Sequence, residues 1–246
     1  MIGLLVAIQF LTRVPMPLAR KMSPTDMGRS MRWFPVVGAL IGLLVGAIDL
    51  ALSPIASPEV RAVLAVAILT AMTGALHVDG LMDTCDALFA FTTPERRLEI
   101  MRDSRVGSFA VVGAATMLLL KYAAILSMPE ESRVAGFVLM TTMSRWAMVY
   151  ATVGYPAARS EGLGHSYKEG AGLRELLSAS FFALAVGAAV GLSGLAALLV
   201  ALVATMAIAR YAMSKLPGLS GDVYGAISEA VEVAVAVALP PIWRWA

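Results

Sequence analysis

Charge is what this sequence has least of. Only 15% of its 246 residues are Asp, Glu, Lys or Arg, whereas 59% are hydrophobic, and the mean hydropathy is +0.79. An ordinary soluble domain carries about 25% charged residues, so the shortage points to an integral membrane protein in contact with a lipid bilayer. The formal net charge of +2 is too small to argue for nucleic acid, and no such partner is expected. The single cysteine, Cys85, excludes an internal disulfide. With only His77 and His165 beside it, a structural zinc site lacks donors. A basic leader is missing too. Arg13 is the first cation and comes after MIGLLVAIQFL, so no cleaved signal peptide is read. That run is short of the ~20 residues needed to cross a bilayer. It reads as an interfacial or re-entrant segment ended by the VPMP prolines.

Long apolar runs are what the chain has instead. They occur at about 34–53, 60–78, 106–128, 133–155, 175–193, 194–214 and 223–242, which predicts seven transmembrane helices in one domain spanning 1–246. Helices are required because lipid offers no partner to an open strand edge. GALIGLLVGA and AVGAAVGLSGLAA supply small residues for close helix contacts. If the loops at 19–33, 79–105, 156–174 and 215–222 share one side, they hold Arg20, Lys21, Arg29, Arg32, Arg96, Arg97, Arg102, Arg105, Arg159, Lys168, Arg174 and Lys215. The other side holds only Arg61, Arg133 and Arg244. That asymmetry places the larger loops in the cytoplasm. Trp33, Tyr155, Trp243 and Trp245 fall near predicted span ends, as interfacial aromatics do.

Carboxylates are scarce overall yet crowd into one stretch, HVDGLMDTCDALFAFTTPERRLEIMRDSRVG. Asp79, Asp83 and Asp86 stand at i, i+4 and i+7, which on a helix brings them within roughly 60° of one another. Such acids repel unless cations lie between them. Hard oxygen donors suit Mg²⁺, which binds through one or two carboxylates and substrate phosphates. The plain alternative is a solvated acidic helix end. His77 points to the opposite side of that helix and reads as a structural group. Thr93, Pro94 and Glu95 predict the start of a short amphipathic helix. It leads to Arg102, Asp103 and Arg105. Two arginines three apart can face one anion, and guanidinium forks match phosphate geometry; lipid headgroups would also satisfy them.

Asp49, Lys121, Arg145, Arg210, Glu229 and Glu232 fall within or near spans, where ionisable groups face the bundle interior. Asp222, Glu229 and Glu232 share a helical face. Lys121 and Arg145 are candidate internal partners for these acids. EGLGHSYKEGAG at 161–172 reads as a flexible polar loop that matches no phosphate-loop pattern.

Several of these blocks together resemble a known family. They are Phe10-Leu11-Thr12-Arg13-Val14-Pro15, Trp33-Phe34-Pro35 with Gly38, His77-x-Asp79-Gly80-x-x-Asp83-x-x-Asp86, Arg96-Arg97-Leu98-x-Ile100-Met101-x-Asp103-Ser104-Arg105-x-Gly107 and Gly221-Asp222-x-x-Gly225. The family is cobalamin synthase, also called adenosylcobinamide-GDP ribazoletransferase. The likeness runs in order from near residue 5 to about 232. One departure is Ala87-Leu88-Phe89-Ala90-Phe91, where family members commonly have a glycine-rich turn. The resemblance implies a Mg²⁺-dependent enzyme of the bacterial inner membrane with its catalytic loops in the cytoplasm. It would join adenosylcobinamide-GDP to α-ribazole, or to the 5′-phosphate of α-ribazole, releasing GMP. Asp79, Asp83 and Asp86 would hold the metal, with Asp83 or Asp86 accepting the hydroxyl proton. Arg102 and Arg105 would hold diphosphate oxygens, with Asp103 orienting an arginine or adding a ligand. Asp222 and Glu229 would bind substrate from a facing helix. A homo-oligomer stays open. A CDP-alcohol phosphotransferase would use the same physics, but its Ala-Arg pair after Asp-Gly is absent here, where Asp79-Gly80 is followed by Leu81-Met82. A transporter would spread its acids through the membrane rather than gather them at one face.

Overall fold

The computed structural model describes residues 2–17 and 22–245. Arg20 and Lys21 lie outside the described residues, as do the side chains of Arg244 and Trp245. Among the described residues the secondary structure is helical, with no strand beyond one isolated bridge between Ala157 and Leu219. The helices are α1 (Ile2–Leu11), α2 (Pro24–Ser30), α3 (Phe34–Leu52), α4 (Pro58–Thr73), α5 (Leu76–Phe89), α6 (Pro94–Ile100), α7 (Ser108–Leu126), α8 (Arg133–Gly154), α9 (Leu163–Gly170), α10 (Leu173–Val190), α11 (Leu192–Met213) and α12 (Gly221–Trp245).

By length and apolarity, α3 with α2, and α7, α10, α11 and α12 can each cross a membrane. So can α4 and α5 taken together, although they meet at 90°. That makes six, not the expected seven. The missing one is α8, which at 22 residues is long enough but is the helix the others wrap. Its two buried arginines, Arg133 and Arg145, face protein. A helix shielded from lipid need not be apolar all round. α1, at ten residues, is too short to span, as expected. It packs beside α2 and α3.

The first glycine run does what its spacing predicts. A Cβ on Gly38 would lie 2.4 Å from the Thr141 carbonyl oxygen, and one on Gly42 would lie 2.4 Å from that of Phe137. Only hydrogen fits there, so α3 and α8 touch backbone to backbone. The Thr141 hydroxyl crosses the contact, donating to the Gly38 carbonyl at 2.7 Å.

Two ion networks, buried except at Glu130, fix the bundle. In one, Lys121 of α7 reaches Glu229 and Glu232 of α12, each at 2.6 Å, and Arg145 of α8 pairs with the second oxygen of Glu232. In the other, Arg133 holds Asp49 at 2.7 Å while Arg61 joins Asp49 to Glu130. Each network has two cations and two carboxylates, so its formal charge is zero. Lys121 and Arg145 are thus the internal partners the sequence suggested.

Candidate functional site

The acid helix begins at a forced turn. Gly74 and Ala75 both take left-handed backbone, φ 61° and 58°, which ends α4 and swings the chain into α5. The Arg13 side chain lies against Gly74, where any Cβ would sit 2.1 Å from Nε, and the Arg13 N–H donates to the Met72 carbonyl at 2.8 Å. At the far end of α5, buried Arg97 donates to the Ala87 and Leu88 carbonyls at 2.5 and 2.8 Å. Those are orphan acceptors of a helix C-terminus. Arginine therefore finishes α5 just where the glycine-rich turn is lacking.

α12 meets α5 face to face. A Cβ on Gly80 would lie 2.7 Å from the Asp222 carbonyl oxygen, and one on Gly225 would lie 3.3 Å from the His77 Cα. The glycines of the Asp79-Gly80 and Gly221-Asp222-x-x-Gly225 motifs are thus the crossing point of the two helices. Ser220 caps α12, with its hydroxyl oxygen 3.4 Å from the Val223 N–H, and donates to the Asp222 carboxylate at 3.1 Å. Asp222 then sits in the first turn, beside the positive helix end.

This crossing gathers three of the predicted residues. Asp83 faces the carboxylates of Asp222, Asp79 and Asp86 and the guanidinium of Arg159. Among the described residues, nothing donates a hydrogen bond or pairs an ion to Asp79 or Asp83. Asp86 differs. Its two oxygens accept from the N–H groups of Gly107 at 2.7 Å and Ala110 at 2.8 Å, so it caps the N-terminus of α7. A Cβ on Gly107 would strike that carboxylate at 2.7 Å, which explains the glycine of the Asp-Ser-Arg-x-Gly block. Among the described residues, no group of three His, Cys, Asp or Glu side chains is drawn together closely enough to hold a metal ion unaided.

The arginines divide in the same way. Arg105 is exposed and pairs with its neighbour Asp103 at 2.6 Å. Its guanidinium and N–H hold the Asp103 carboxyl down at about 2. Arg102 instead lies within electrostatic reach of Arg159. Arg159, which the sequence did not single out, is 3.8 Å from Asp222 and donates to the Leu98 carbonyl at 2.8 Å. Burial lowers its pKa, with the Asp222 carboxylate opposing and Arg102 assisting. It is placed by a short ladder in which the Leu219 N–H donates to the Pro156 carbonyl at 2.8 Å and the Ala158 N–H donates to Leu219 at 2.9 Å. Glu229 does not join the cluster. It lies seven residues, about 10 Å, further along α12, with its carboxylate taken up by Lys121.

The stretch expected to be a flexible loop at 161–172 contains a helix, α9. Gly170 packs on the Pro24 carbonyl of α2, and Tyr167 is buried with its ring 4.5 Å from that of Phe10 and 5.8 Å from that of Phe34. The apolar contact outweighs the glycine content. Beneath α9 lies a cavity of about 130 Å³ that reaches Asp79 and Asp222. A second, of about 240 Å³, is lined by Arg159, His165 and Asp222. The two share Leu163, Gly164, Gly221 and Asp222. The expected helix at Pro94 is present as α6, with the Thr93 hydroxyl accepting from the Arg96 N–H at 3.4 Å.

Known proteins share this plan in sequence. The family model for cobalamin-5-phosphate synthase matches residues 3–240. An adenosylcobinamide-GDP ribazoletransferase of Geotalea daltonii is 39% identical over 229 residues, covering 93% of this chain and 92% of its own. The protein of that name from Stutzerimonas stutzeri is 40% identical over 242 residues, covering 97% and 98%. One from Roseiflexus is 37% identical over 228 residues, covering 92% and 85%. No solved structure matches.

Proposed function

This chain belongs to the cobalamin-5-phosphate synthase family, and we propose that it acts as an adenosylcobinamide-GDP ribazoletransferase through the α5–α12 acid cluster. A ribose hydroxyl of α-ribazole, or of the 5′-phosphate of α-ribazole, forms the new bond to the phosphorus that carries cobinamide. The P–O–P link to GMP breaks, and the products are adenosylcobalamin or its 5′-phosphate and GMP. The observation that carries the reading is the pair of unpartnered carboxylates, Asp79 and Asp83, crowded against Asp222 beside Arg159 and Arg102.

That donor set fits Mg²⁺, which takes one or two carboxylates and completes its shell with water and phosphate oxygens. Asp79 and Asp83 would hold it with Asp222 opposite, and when bound it supplies positive charge to the diphosphate. Arg159 and Arg102 bind diphosphate oxygens from the other side and fix the leaving GMP. Asp83 is better placed than Asp86 to take the hydroxyl proton, because both oxygens of Asp86 are engaged in its cap. Arg105 and Asp103 form the outer edge of the anion path. The reaction leaves little covalent work for protein groups, so alignment and charge carry the rate.

The whole chain works as one domain, since α8 and α12 bind helices from both ends of the sequence. The excess of lysine and arginine at the acid-cluster end argues for a bacterial inner-membrane enzyme with this end in the cytoplasm. Purified protein supplied with Mg²⁺, adenosylcobinamide-GDP and α-ribazole should release GMP, and Asp83→Asn should reduce the rate roughly a hundredfold or more. Release of CMP from a CDP-alcohol in place of GMP would assign the site to phospholipid synthesis.

A further inference from the structure

The cavity of about 130 Å³ under α9 is aromatic and sulphur-walled at one end and acidic at the other. Phe10, Phe34, Met31, Met148 and Tyr167 line it, and Asp79 and Asp222 reach it from the α5–α12 crossing. The aromatic walls come from α1, α3 and α9, Met148 from α8 and Met31 from the turn before α3, so segments far apart in sequence build it. Deep in the same lining lies His77. It is 1% exposed, and neither Nδ1 nor Nε2 has a hydrogen-bond partner among the described residues. A buried imidazole left without partners is costly. Lys121, Glu232 and Arg145 lie near it, but they satisfy one another rather than the ring.

We propose that this cavity is the seat of the acceptor's base: a flat, apolar, bicyclic aromatic heterocycle with one unsubstituted ring nitrogen, lying against the packed cluster of Phe10, Phe34 and Tyr167 and accepting a hydrogen bond from the N–H of His77. The assignment rests on the transferase reading above. Of the three bulky parts of the two substrates, only this base suits the walls. A corrin ring is far too large for the space. Guanine presents several donors and acceptors on its edge and needs a polar partner for each, whereas Phe10, Met31, Phe34, Leu76 and Met148 make much of this lining apolar. A benzimidazole makes one polar demand, and His77 carries one unused N–H to meet it. A base so held sets its sugar at the mouth of the cavity, where Asp79 and Asp222 stand, which is the position the attacking hydroxyl requires. An aromatic ring against one face of a base is a usual stacking surface.

The test uses full-length protein in lipid nanodiscs, titrated calorimetrically against empty discs with two isosteric probes. 1-Methylbenzimidazole has the acceptor nitrogen; 1-methylindole has carbon in its place. The wild-type protein should bind the first about tenfold more tightly than the second, and His77→Leu should remove that preference. Tyr167→Ala should weaken 1-methylbenzimidazole about tenfold and raise KM for α-ribazole without raising KM for adenosylcobinamide-GDP. Should Tyr167→Ala not fold, Leu163→Trp, a change at an exposed cavity-mouth residue, should block the same binding. Equal binding of the two probes by the wild-type protein overturns the proposal. So does a rise in KM for the corrin nucleotide alone. Probe binding as expected in a protein that never releases GMP would leave the cavity assigned and defeat the transferase reading. GMP release with an α-ribazole KM indifferent to Tyr167 and Leu163 would do the reverse.

Discussion

Asp83 and Asp86 stand three positions apart and meet opposite demands. Asp86 ties two N–H groups of α7 into its carboxylate, a charged cap at the positive end of a 19-residue helix. Its removal should cost about 1–2 kcal/mol. Asp83 has no such partner and has Asp79, Asp86 and Asp222 as electrostatic neighbours, with Arg159 opposing them, so its charge should weaken the fold. Thermal unfolding without divalent cation should therefore move in opposite directions. Asp86→Ala should lower the midpoint, and Asp83→Asn should hold or raise it while activity is lost. A stabilised but inactive Asp83→Asn protein is the signature of a residue kept for function. If Asp83→Asn destabilises as much as Asp86→Ala, the acid has a structural partner and the division is wrong. The spacing of the aspartates was readable from the chain. The commitment of Asp86 was not, because its partners Gly107 and Ala110 become its neighbours only after α6 has folded back.

Between elements, the decisive contact is that of α5 with α12, and its tolerance is set by two glycines. A methyl group on Gly80 meets the Asp222 carbonyl oxygen at 2.7 Å, a fixed backbone atom, whereas one on Gly225 finds its nearest neighbour at 3.3 Å. Gly80→Ala should push the helices apart, cost about 1–3 kcal/mol and lower GMP release sharply, since Asp222 moves away from Asp79 and Asp83. Gly225→Ala should be milder on both counts. Parallel activity and denaturation measurements check that order, and the reverse order would misplace the crossing. Periodicity revealed the long helices, and the small-residue runs revealed that α3 makes a close helix contact but not that α8 is its partner. They did not reveal α9, because glycine content argued for a loop and the buried Tyr167 contact that makes it a helix joins residues far apart in sequence. Arg159 was invisible for the same reason. A single loop arginine has no pattern, and only the ladder between 156–158 and 219 aims it at Asp222.

Across the whole molecule, charge neutrality inside the bundle is the organising constraint. Lys121 is 1% exposed and is matched by Glu229 and Glu232, which Arg145 balances in turn. Lys121→Met leaves one surplus buried negative charge, and such a deletion costs about 3–5 kcal/mol. The protein should accumulate poorly and unfold early in detergent. Adding Glu229→Gln to Lys121→Met restores neutrality and should recover most of the stability, measured by the same unfolding curve. Failure of the second change to help would mean that the two acids are not held by this lysine. Six apolar segments and the internal ion partners were legible in the composition of the chain. The place of α8 was not legible: the run at 133–155 read as one span among seven, and its innermost position depends on contacts between segments far apart in sequence.

Lys121 is made 108 residues before Glu229, the nearer in sequence of its two acids. During biosynthesis α7 therefore reaches the insertion machinery long before α12 exists, carrying an ammonium group that lipid refuses. The charge of α7 is thus matched only when α12 arrives, which makes α12 the latch of the assembly.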